Sequence, residues 1–420
     1  MAFRFIHTAD VHLDSPLETL ALKDAEAADV VANATRQAFS NTIDLCIDER
    51  VDALMIAGDL YDGELKSMKT AAFFTGEMHR VTAAGVRVFI IRGNHDAESR
   101  ITKHLTLPDG VHVFSGRGES VTIDESGVVI HGISFAKPHV PESLLAKYKP
   151  AVNGAINIGL LHTSLAGSTK HDVYSPCSVQ QLKDQGYDYW ALGHIHQREV
   201  HAEAPNAIVM PGILQGRHIN EAGPKSVTYV EIKDNREILI EERHTSIAQF
   251  EHVPLDLTGV DDWSEIVGAL ELALNEAVES LKANHLIARV QLHGRSSLSA
   301  RMRRDRDVLI EEVRMVALRS GSIFIEDVLI NVEPPLTPGN ASLADPVSEL
   351  RRILTQDGAD QSLSVADAMS LMTDLQKDLP PELRDVFGED EERTRKIIEH
   401  FMSEGAAEVL ARLEVAETDT

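Results

Sequence analysis

Cysteine is nearly absent from this chain. Among its 420 residues only Cys46 and Cys177 are cysteines, and they form no CxxC pair. The sequence therefore argues against both a disulfide framework and a thiolate zinc site. Any bound metal must use histidine, aspartate, asparagine or glutamate, and 19 histidines are available.

Long apolar runs are lacking as well. The first residues, Met1–Asp10, turn polar too soon to act as a signal peptide. No later apolar run approaches the roughly 20 residues that span a bilayer. We therefore expect a soluble, cytoplasmic protein that has no contact with a membrane.

Positive charge is scarce, because 40 basic residues face 66 acidic ones and give a formal net charge of −26. This balance argues against a protein that holds nucleic acid by an overall positive field, so any affinity for phosphate must be local. Hydrophobic residues, in contrast, make up 43% of the chain. That is ample material for a large core, and the length predicts two or three domains.

The first half of the chain alternates short β-rich runs with helix-like segments from Phe3 to about Ser134, which predicts an α/β core. Alternating runs separated by Gly, Asn or Asp around Ser120–Phe135 and Glu199–Thr245 predict hairpins that add antiparallel strands. We expect this core domain to span residues 1–245.

A small α+β domain is predicted at residues 246–332, followed by a linker and a tail. Its strand, helix, strand, helix and strand are predicted at Val253–Leu257, Asp262–Ala283, Leu286–His293, Arg301–Arg319 and Ile323–Val332. Three prolines predict a linker at 333–340. Apolar residues at helical spacing predict a helical tail at 341–420. Residues 333–420 hold eight basic and twenty acidic residues.

Polar clusters follow five strand-like runs, at the point where each run stops. Ligands collect at the carboxyl ends of strands in open α/β sheets, so these clusters can converge in space. A single Asp-x-His also suits a capped loop, but five coincidences of residue type and position multiply. The clusters are Asp10-Val11-His12, Gly58-Asp59-Leu60-Tyr61-Asp62, Gly93-Asn94-His95-Asp96, Leu161-His162 and Gly193-His194-Ile195-His196.

These residue types suit a pair of divalent cations. Two cations about 3.5–4 Å apart repel each other, so a carboxylate that bridges them from a tight turn is a natural ligand. Asp59, which follows Gly58, suits that role. Neutral imidazoles and an amide oxygen complete the two sites and leave positions open for water and a phosphate oxygen. The sequence therefore predicts a catalytic two-metal site.

Over roughly the first 200 positions the clusters match the pattern DxH…GDxxD…GNHD…H…GHxH, and the chain thus resembles the calcineurin-like metallophosphoesterases. The resemblance implies a sandwich of two mixed sheets flanked by helices. It implies two metal ions, with manganese expected and iron or zinc as alternatives. The implied ligands are Asp10, His12, Asp59 and His196 for the first metal, and Asp59, Asn94, His162 and His194 for the second.

His95 follows a ligand directly but has no place in that ligand set. It is therefore predicted to face the substrate phosphate as a general acid or charge stabiliser. Asp62 is predicted to orient His95, and the alternative is a turn residue that satisfies its own backbone. His7 and His131 lie in strand-like runs, where a lone histidine is more often a core residue than a ligand.

The flanking residues His7–Asp14 and Met210-Pro211-Gly212 resemble the SbcD branch of the family, and they are especially similar to YhaO-like exonucleases. This implies a DNA nuclease of DNA repair whose small domain caps the active site. It also implies a tail that docks on an SbcC-like (YhaN-like) coiled-coil ATPase, and a homodimer is a further expectation. A tail that packs on its own core is the alternative.

Two other functions remain open from the sequence. One is a phosphodiesterase for cyclic nucleotides or other small phosphodiesters, which the acidic composition favours. The other is a weakly catalytic subunit that regulates the ATPase. The only basic cluster either contacts phosphates or forms a solvated helix face, and it consists of Arg295, Arg301, Arg303, Arg304 and Arg306.

Overall fold

The structure is a computed structural model that describes residues 2–15, 25–61, 67–98, 106–123, 126–165, 173–335, 350, 361–378 and 391–418. The chain divides into two compact units. The first comprises Met1–His252, Glu276–Arg289 and Ser322–Glu326. The second comprises Val253–Asn275, Val290–Gly321 and Asp327–Thr420.

Within the described residues, twelve strands form two six-stranded sheets. The strands are β1 (Phe3–Thr8), β2 (Ala53–Ala57), β3 (Arg87–Ile91), β4 (Val111–Val113), β5 (Glu119–Ile123), β6 (Val128–Gly132), β7 (Ile156–His162), β8 (Tyr189–Gly193), β9 (Glu199–Ala202), β10 (Ala207–Met210), β11 (Ser226–Ile232) and β12 (Ile238–His244). The first sheet has the order β12-β11-β1-β2-β3-β4 and the second the order β5-β6-β7-β8-β10-β9.

Both sheets are mixed, as predicted. The strands β1, β2, β3 and β4 pair in parallel, and β11 joins the other edge of β1 in antiparallel orientation. The predicted hairpins are confirmed, since β5 pairs with β6, β9 with β10 and β11 with β12, each antiparallel. The parallel strands β2 and β8 are buried along their whole length, which is why their sequences are continuously apolar.

Helices cover the first sheet, and the two sheets enclose a second core. The helices of this part are α1 (Ala25–Asp48), α2 (Met68–Ala83), α3 (Asn94–Glu98) and α4 (Val179–Asp184). Phe39 and Phe74, from α1 and α2, pack in one apolar cluster with Ile56 of the first sheet. Met55 of the same sheet faces the opposite way and packs with Leu160 of β7. The sandwich therefore places the ends of β1, β2, β3, β7 and β8 near one another.

Three parallel strands form the third sheet. In chain order the elements are β13 (Ala248–Asp256), α5 (Trp263–Glu279), β14 (His285–Arg295), α6 (Ser299–Arg304), α7 (Arg306–Ser320) and β15 (Ile323–Glu333). The hydrogen bonds from Asn284 N to Ile247 O and from Leu257 N to His293 O run in parallel register. The predicted single helix Arg301–Arg319 is wrong, because the chain breaks into two helices at Asp305.

The predicted tail is helical where the structure describes it. It contains α8 (Gln361–Asp378) and α9 (Glu391–Thr418). Most of the predicted linker, residues 336–340, lies outside the described residues. The predicted domain boundaries stay predictions. In the part of the chain that is described, no helix has both the length and the apolarity that a membrane crossing requires.

Candidate metal centre

The seven predicted ligands lie at the carboxyl ends of β1, β2, β3, β7 and β8. Six of them form two groups whose donor atoms lie within 4.8 Å of one another. The first group consists of Asp10, His12 and His196, and the second of Asp59, His162 and His194. Asn94 joins the second group, because its Oδ1 lies 3.0 Å from His162 Nε2. The bridging role of Asp59 stays a prediction.

Four of these ligands have a backbone in the left-handed region, which L-residues rarely adopt. The φ angles are 51° for Asp10, 44° for His12, 50° for Asp59 and 108° for His194. Hydrogen bonds hold this backbone, from Asp10 N to Gly58 O (2.9 Å) and from His12 N to Asp59 O (3.1 Å). A strained backbone that its surroundings enforce is typical of functional sites.

Two motif glycines leave room for the ligands. At Gly58, whose φ is +97°, an added Cβ would lie 2.5 Å from His162 Nδ1. At Gly93 an added Cβ would overlap the carboxylate of Asp59. Both positions therefore require glycine for close packing of the second ligand group.

His162 presents a lone pair to the second group. Its Nδ1 lies 3.0 Å from Ala57 O and donates to it, so Nε2 of the neutral ring is an acceptor. This Nε2 lies 3.4 Å from Asp59 Oδ2 and near the amide oxygen of Asn94. Burial lowers the pKa of His162, but the Asp59 carboxylate outweighs it and raises this pKa to about 9. Three acceptors around one point need a cation or a proton, so this set fits a divalent ion.

The first group shows the same arrangement. The Nε2 atoms of His12 and His196 lie 3.3 Å apart, and the Nδ1 of His196 lies 2.7 Å from Glu221 Oε1. Because Nδ1 donates to that carboxylate, the Nε2 of a neutral His196 is an acceptor that faces the group. Two imidazole nitrogens and the buried Asp10 carboxylate thus fit a divalent ion in the first group as well.

Glu221 and Arg217 support His196, and neither residue was predicted from the sequence. Arg217 donates to Glu221 Oε1 from Nη2 (3.0 Å) and to Oε2 from its backbone N (2.7 Å). Its Nη1 reaches Ser15 Oγ at 3.4 Å. Burial raises the pKa of Glu221, but the bond from His196 and the Arg217 charge hold it well below its usual range. Neither residue belongs to a recognisable motif.

His95 lies beside both groups. Its ring centroid is 5.1 Å from that of His12, and its backbone N donates to Asp59 Oδ1 at 3.1 Å. This position is compatible with the predicted catalytic role, which stays a prediction. Asp62 lies outside the described residues.

Asp96, the last residue of the GNHD motif, ties two loops together. It is buried and accepts hydrogen bonds from Tyr61 N (3.0 Å) and Gly93 N (3.1 Å). Burial, together with the Asp59 charge, raises its pKa to about 6. Asp96 therefore joins the loop after β2 to the loop after β3.

The lone histidines are core residues, as predicted. His7 is buried and bonds to Tyr189 Oη (3.0 Å) and Leu192 O (2.9 Å). His131 is also buried and stacks on Tyr187 with ring centroids 4.3 Å apart. Neither histidine belongs to the two ligand groups.

The five clustered arginines form ion pairs. This favours a solvated helix face over a phosphate site. The pairs are Arg295 with Glu333, Arg301 with Asp305, Arg303 with Glu404, Arg304 with Asp305 and Arg306 with Asp327.

Comparisons with known proteins agree with this site. Residues 3–198 match the family model of the calcineurin-like phosphoesterases, and residues 250–333 match the middle domain of the metallophosphoesterase YhaO. The chain is 32% identical to the uncharacterized metallophosphoesterase YhaO of Bacillus subtilis over 271 aligned residues. The aligned region covers 64% of this chain and 66% of that protein.

Two further relatives are named for DNA repair or for nuclease activity. The DNA double-strand break repair protein Mre11 of Methanopyrus kandleri is 23% identical, over 92% of this chain and 85% of its own length. The D component of the nuclease SbcCD of Bacillus subtilis is 26% identical, over 56% of this chain and 67% of its own length.

Proposed function

Because this chain belongs to the calcineurin-like metallophosphoesterases and to their YhaO family, we propose that it is a metal-dependent nuclease that hydrolyses the phosphodiester backbone of DNA. The observation that carries the proposal is the pair of ligand groups, in which acceptor atoms face one another at the ends of five strands. The relatives named for DNA repair and nuclease activity support DNA as the substrate.

In this proposal the ligand groups bind the metal ions and His95 assists the reaction. Asp10, His12 and His196 hold one ion, and Asp59, with its neighbouring ligands, holds the other. Two bound divalent ions supply Lewis acidity toward the phosphate oxygens and lower the pKa of bound water. His95, beside both groups, assists charge development or departure of the leaving group. We expect manganese, with iron or zinc as alternatives.

The role of His95 is tested by His95→Ala. We expect manganese binding to persist, because His95 is not a ligand, while kcat for labelled DNA falls by about 10²–10⁴-fold. Calorimetry with Mn²⁺ and a cleavage assay measure the two effects. The exposed His79 on α2 offers a matched control, His79→Ala, with cleavage expected at the wild-type rate. Equal cleavage by the His95 variant would refute the assigned role.

A second candidate function is hydrolysis of cyclic nucleotides or other small phosphodiesters. The net charge of −26 favours it, since it repels long polyanions more than small ones. Fast turnover of bis(p-nitrophenyl) phosphate and of cyclic nucleotides, with no cleavage of single- or double-stranded DNA, would establish this function and remove the first.

We also propose that the tail binds a coiled-coil ATPase of the SbcC-like or YhaN-like kind. The same binding would be expected if the chain were a weakly catalytic subunit that regulates this ATPase. Helix α9 exposes an apolar stripe at Phe401, Val409 and Leu413, which suits helix-in-groove binding. The double variant Phe401→Glu with Val409→Glu should weaken binding to a purified ATPase of this kind, whereas Leu272→Glu on α5 should not. Unchanged affinity would remove α9 as the docking site.

We further propose that the chain forms a homodimer. Sedimentation equilibrium, which measures the mass of the assembly in solution, tests this proposal.

A further inference from the structure

A cleft of about 1120 Å³ adjoins the first ligand group. His196 lies in its wall, so the cleft opens directly beside a predicted metal site. Its lining combines apolar groups, such as Val200 and Pro211, with hydrogen-bonding side chains, such as Gln197 and Asn220. Such a mixture of apolar walls and a few polar groups is typical of small-molecule sites, and the size is ample for a nucleotide.

Two of the cations that line the cleft are already paired. Arg217 is held by Glu221, as described above. Arg198 donates to Thr228 Oγ1 at 2.5 Å and lies 3.9 Å from Glu242. The charges of both guanidinium groups therefore already face a carboxylate of the cleft.

Lys225 differs from these arginines. Within the described residues its ammonium makes one hydrogen bond, to Ala222 O at 2.9 Å, and no ion pair. The side chain is half-buried in the cleft lining, and burial lowers its pKa against the opposing charges of Glu221 and Glu251. A partly desolvated ammonium with one carbonyl partner retains two N–H donors for an anion.

We propose that this cleft binds the nucleotide next to the scissile phosphodiester and that Lys225 contacts its phosphate. The assignment rests on the proposed nuclease function, which it deepens by adding a subsite. The apolar wall around Val200 and Pro211 packs against the sugar or base, and the polar side chains bond to their edges. The cleft thereby provides local phosphate affinity on a chain whose net charge is −26.

The test compares two thymidine oligonucleotides that differ by one phosphate. TpT has a single phosphodiester, and TpTpT adds the neighbouring one. Calorimetry with Ca²⁺ as the divalent ion gives the two dissociation constants for the full chain. We expect TpTpT to bind about tenfold more tightly than TpT, the effect of one hydrogen bond to a charged group. In Lys225→Met this ratio should fall toward one.

Control variants separate the charge of Lys225 from a general effect. Lys225→Arg keeps a cation and should retain most of the ratio, which also covers the case in which Lys225→Met folds poorly. Lys183→Met removes an exposed lysine of α4 outside the cleft lining and should keep the wild-type ratio. In a plot of the logarithm of the TpTpT binding constant against the logarithm of salt concentration, the slope should become shallower by about 0.7 in Lys225→Met. It should stay at the wild-type value in Lys183→Met.

The outcomes distinguish the subsite from the nuclease function. Wild-type protein without a preference for TpTpT, or Lys225→Met with an unchanged preference, overturns the subsite even if DNA is cleaved with Mn²⁺. A preference that depends on Lys225, in a protein that hydrolyses bis(p-nitrophenyl) phosphate but cleaves no DNA, supports the subsite and overturns the DNA function.

Discussion

At the scale of single residues, the candidate metal centre depends on hydrogen-bond partners that fix the direction of the histidine lone pairs. Ala57 O accepts from His162 Nδ1, and Glu221 accepts from His196 Nδ1. Each contact leaves the opposite ring nitrogen, Nε2, as the acceptor that faces the ion. The second contact is made by a side chain, which makes it accessible to mutation.

Glu221→Gln should weaken binding at the first group. The amide cannot match the carboxylate as a partner for both His196 and Arg217, so the ring loses its fixed orientation. We expect manganese affinity at one of the two sites to fall roughly 10–100-fold, measured by calorimetry. Glu142→Gln, an exposed carboxylate outside the site, is the control. Two sites of wild-type affinity in Glu221→Gln would show that the contact is dispensable.

Gly58→Ala should destabilise the protein. At a φ of +97° an alanine is strained, and its Cβ would displace His162. We expect a loss of at least about 1–2 kcal/mol in the free energy of unfolding in urea. Gly76→Ala is the matched change, because nothing lies near that position in α2, and it should stabilise by about 0.5–1 kcal/mol. A free energy of unfolding of Gly58→Ala equal to or above that of the wild type would contradict the packing argument.

The ligands could be predicted because each lies at the end of an apolar strand or in the loop that follows it, where residue type and position are read together. Glu221, Arg217 and Lys225 could not. They lie in the connection from β10 to β11, beyond its Pro211-Gly212 pair, in a stretch without periodicity. They come near His196 only because that connection folds back over the end of β8, a tertiary fact that local pattern does not encode.

At the scale of elements, most of the sheet core was predictable and one helix boundary was not. The strands β1 and β2 were predictable because each is a short apolar run that stops at a polar cluster. The break at Asp305 was missed because Met302, Leu309 and Val313 stay buried at helical spacing across it. Asp305 N bonds to Arg301 O, and Asp305 O accepts from Leu309 N, so the residue ends α6 and begins α7.

The burial of His7 in β1 should make stability depend on pH. Burial lowers the pKa of His7 to about 3, below its ordinary value of 6.5. The unfolded chain therefore binds the proton more readily, and stability is lost as pH falls below about 6.5, by about 1.4 kcal/mol per pH unit. His7→Gln should lack this contribution.

Urea unfolding with EDTA present, at pH values from about 8 down to about 5, measures this effect. The difference between wild type and His7→Gln isolates His7 from the other histidines. The free energy of unfolding of the wild type, relative to that of His7→Gln, should decrease as pH falls. Parallel pH profiles for the two proteins would contradict the predicted contribution of His7.

At the scale of the whole molecule, net charge determines the expected salt dependence of binding to DNA, the proposed substrate. The net charge is −26, the clustered arginines are ion-paired, and Lys225 is the cation assigned to a phosphate. We therefore expect DNA affinity to fall by less than about tenfold between roughly 50 and 200 mM salt, measured by fluorescence anisotropy. A loss of about 10³–10⁵, typical of six to ten phosphate contacts, would show a basic surface that charge pairing conceals.

The place of β1 also determines when the molecule can be completed during its synthesis. Phe3 in β1 pairs with Ile232 in β11. One of the two neighbours of β1 is therefore absent until more than half of the 420 residues have been translated. At roughly 5–20 residues per second this takes tens of seconds. In that interval β1 has an open edge, which is the kind of edge that aggregates. We therefore expect the nascent chain to be prone to aggregation at this edge until β11 emerges.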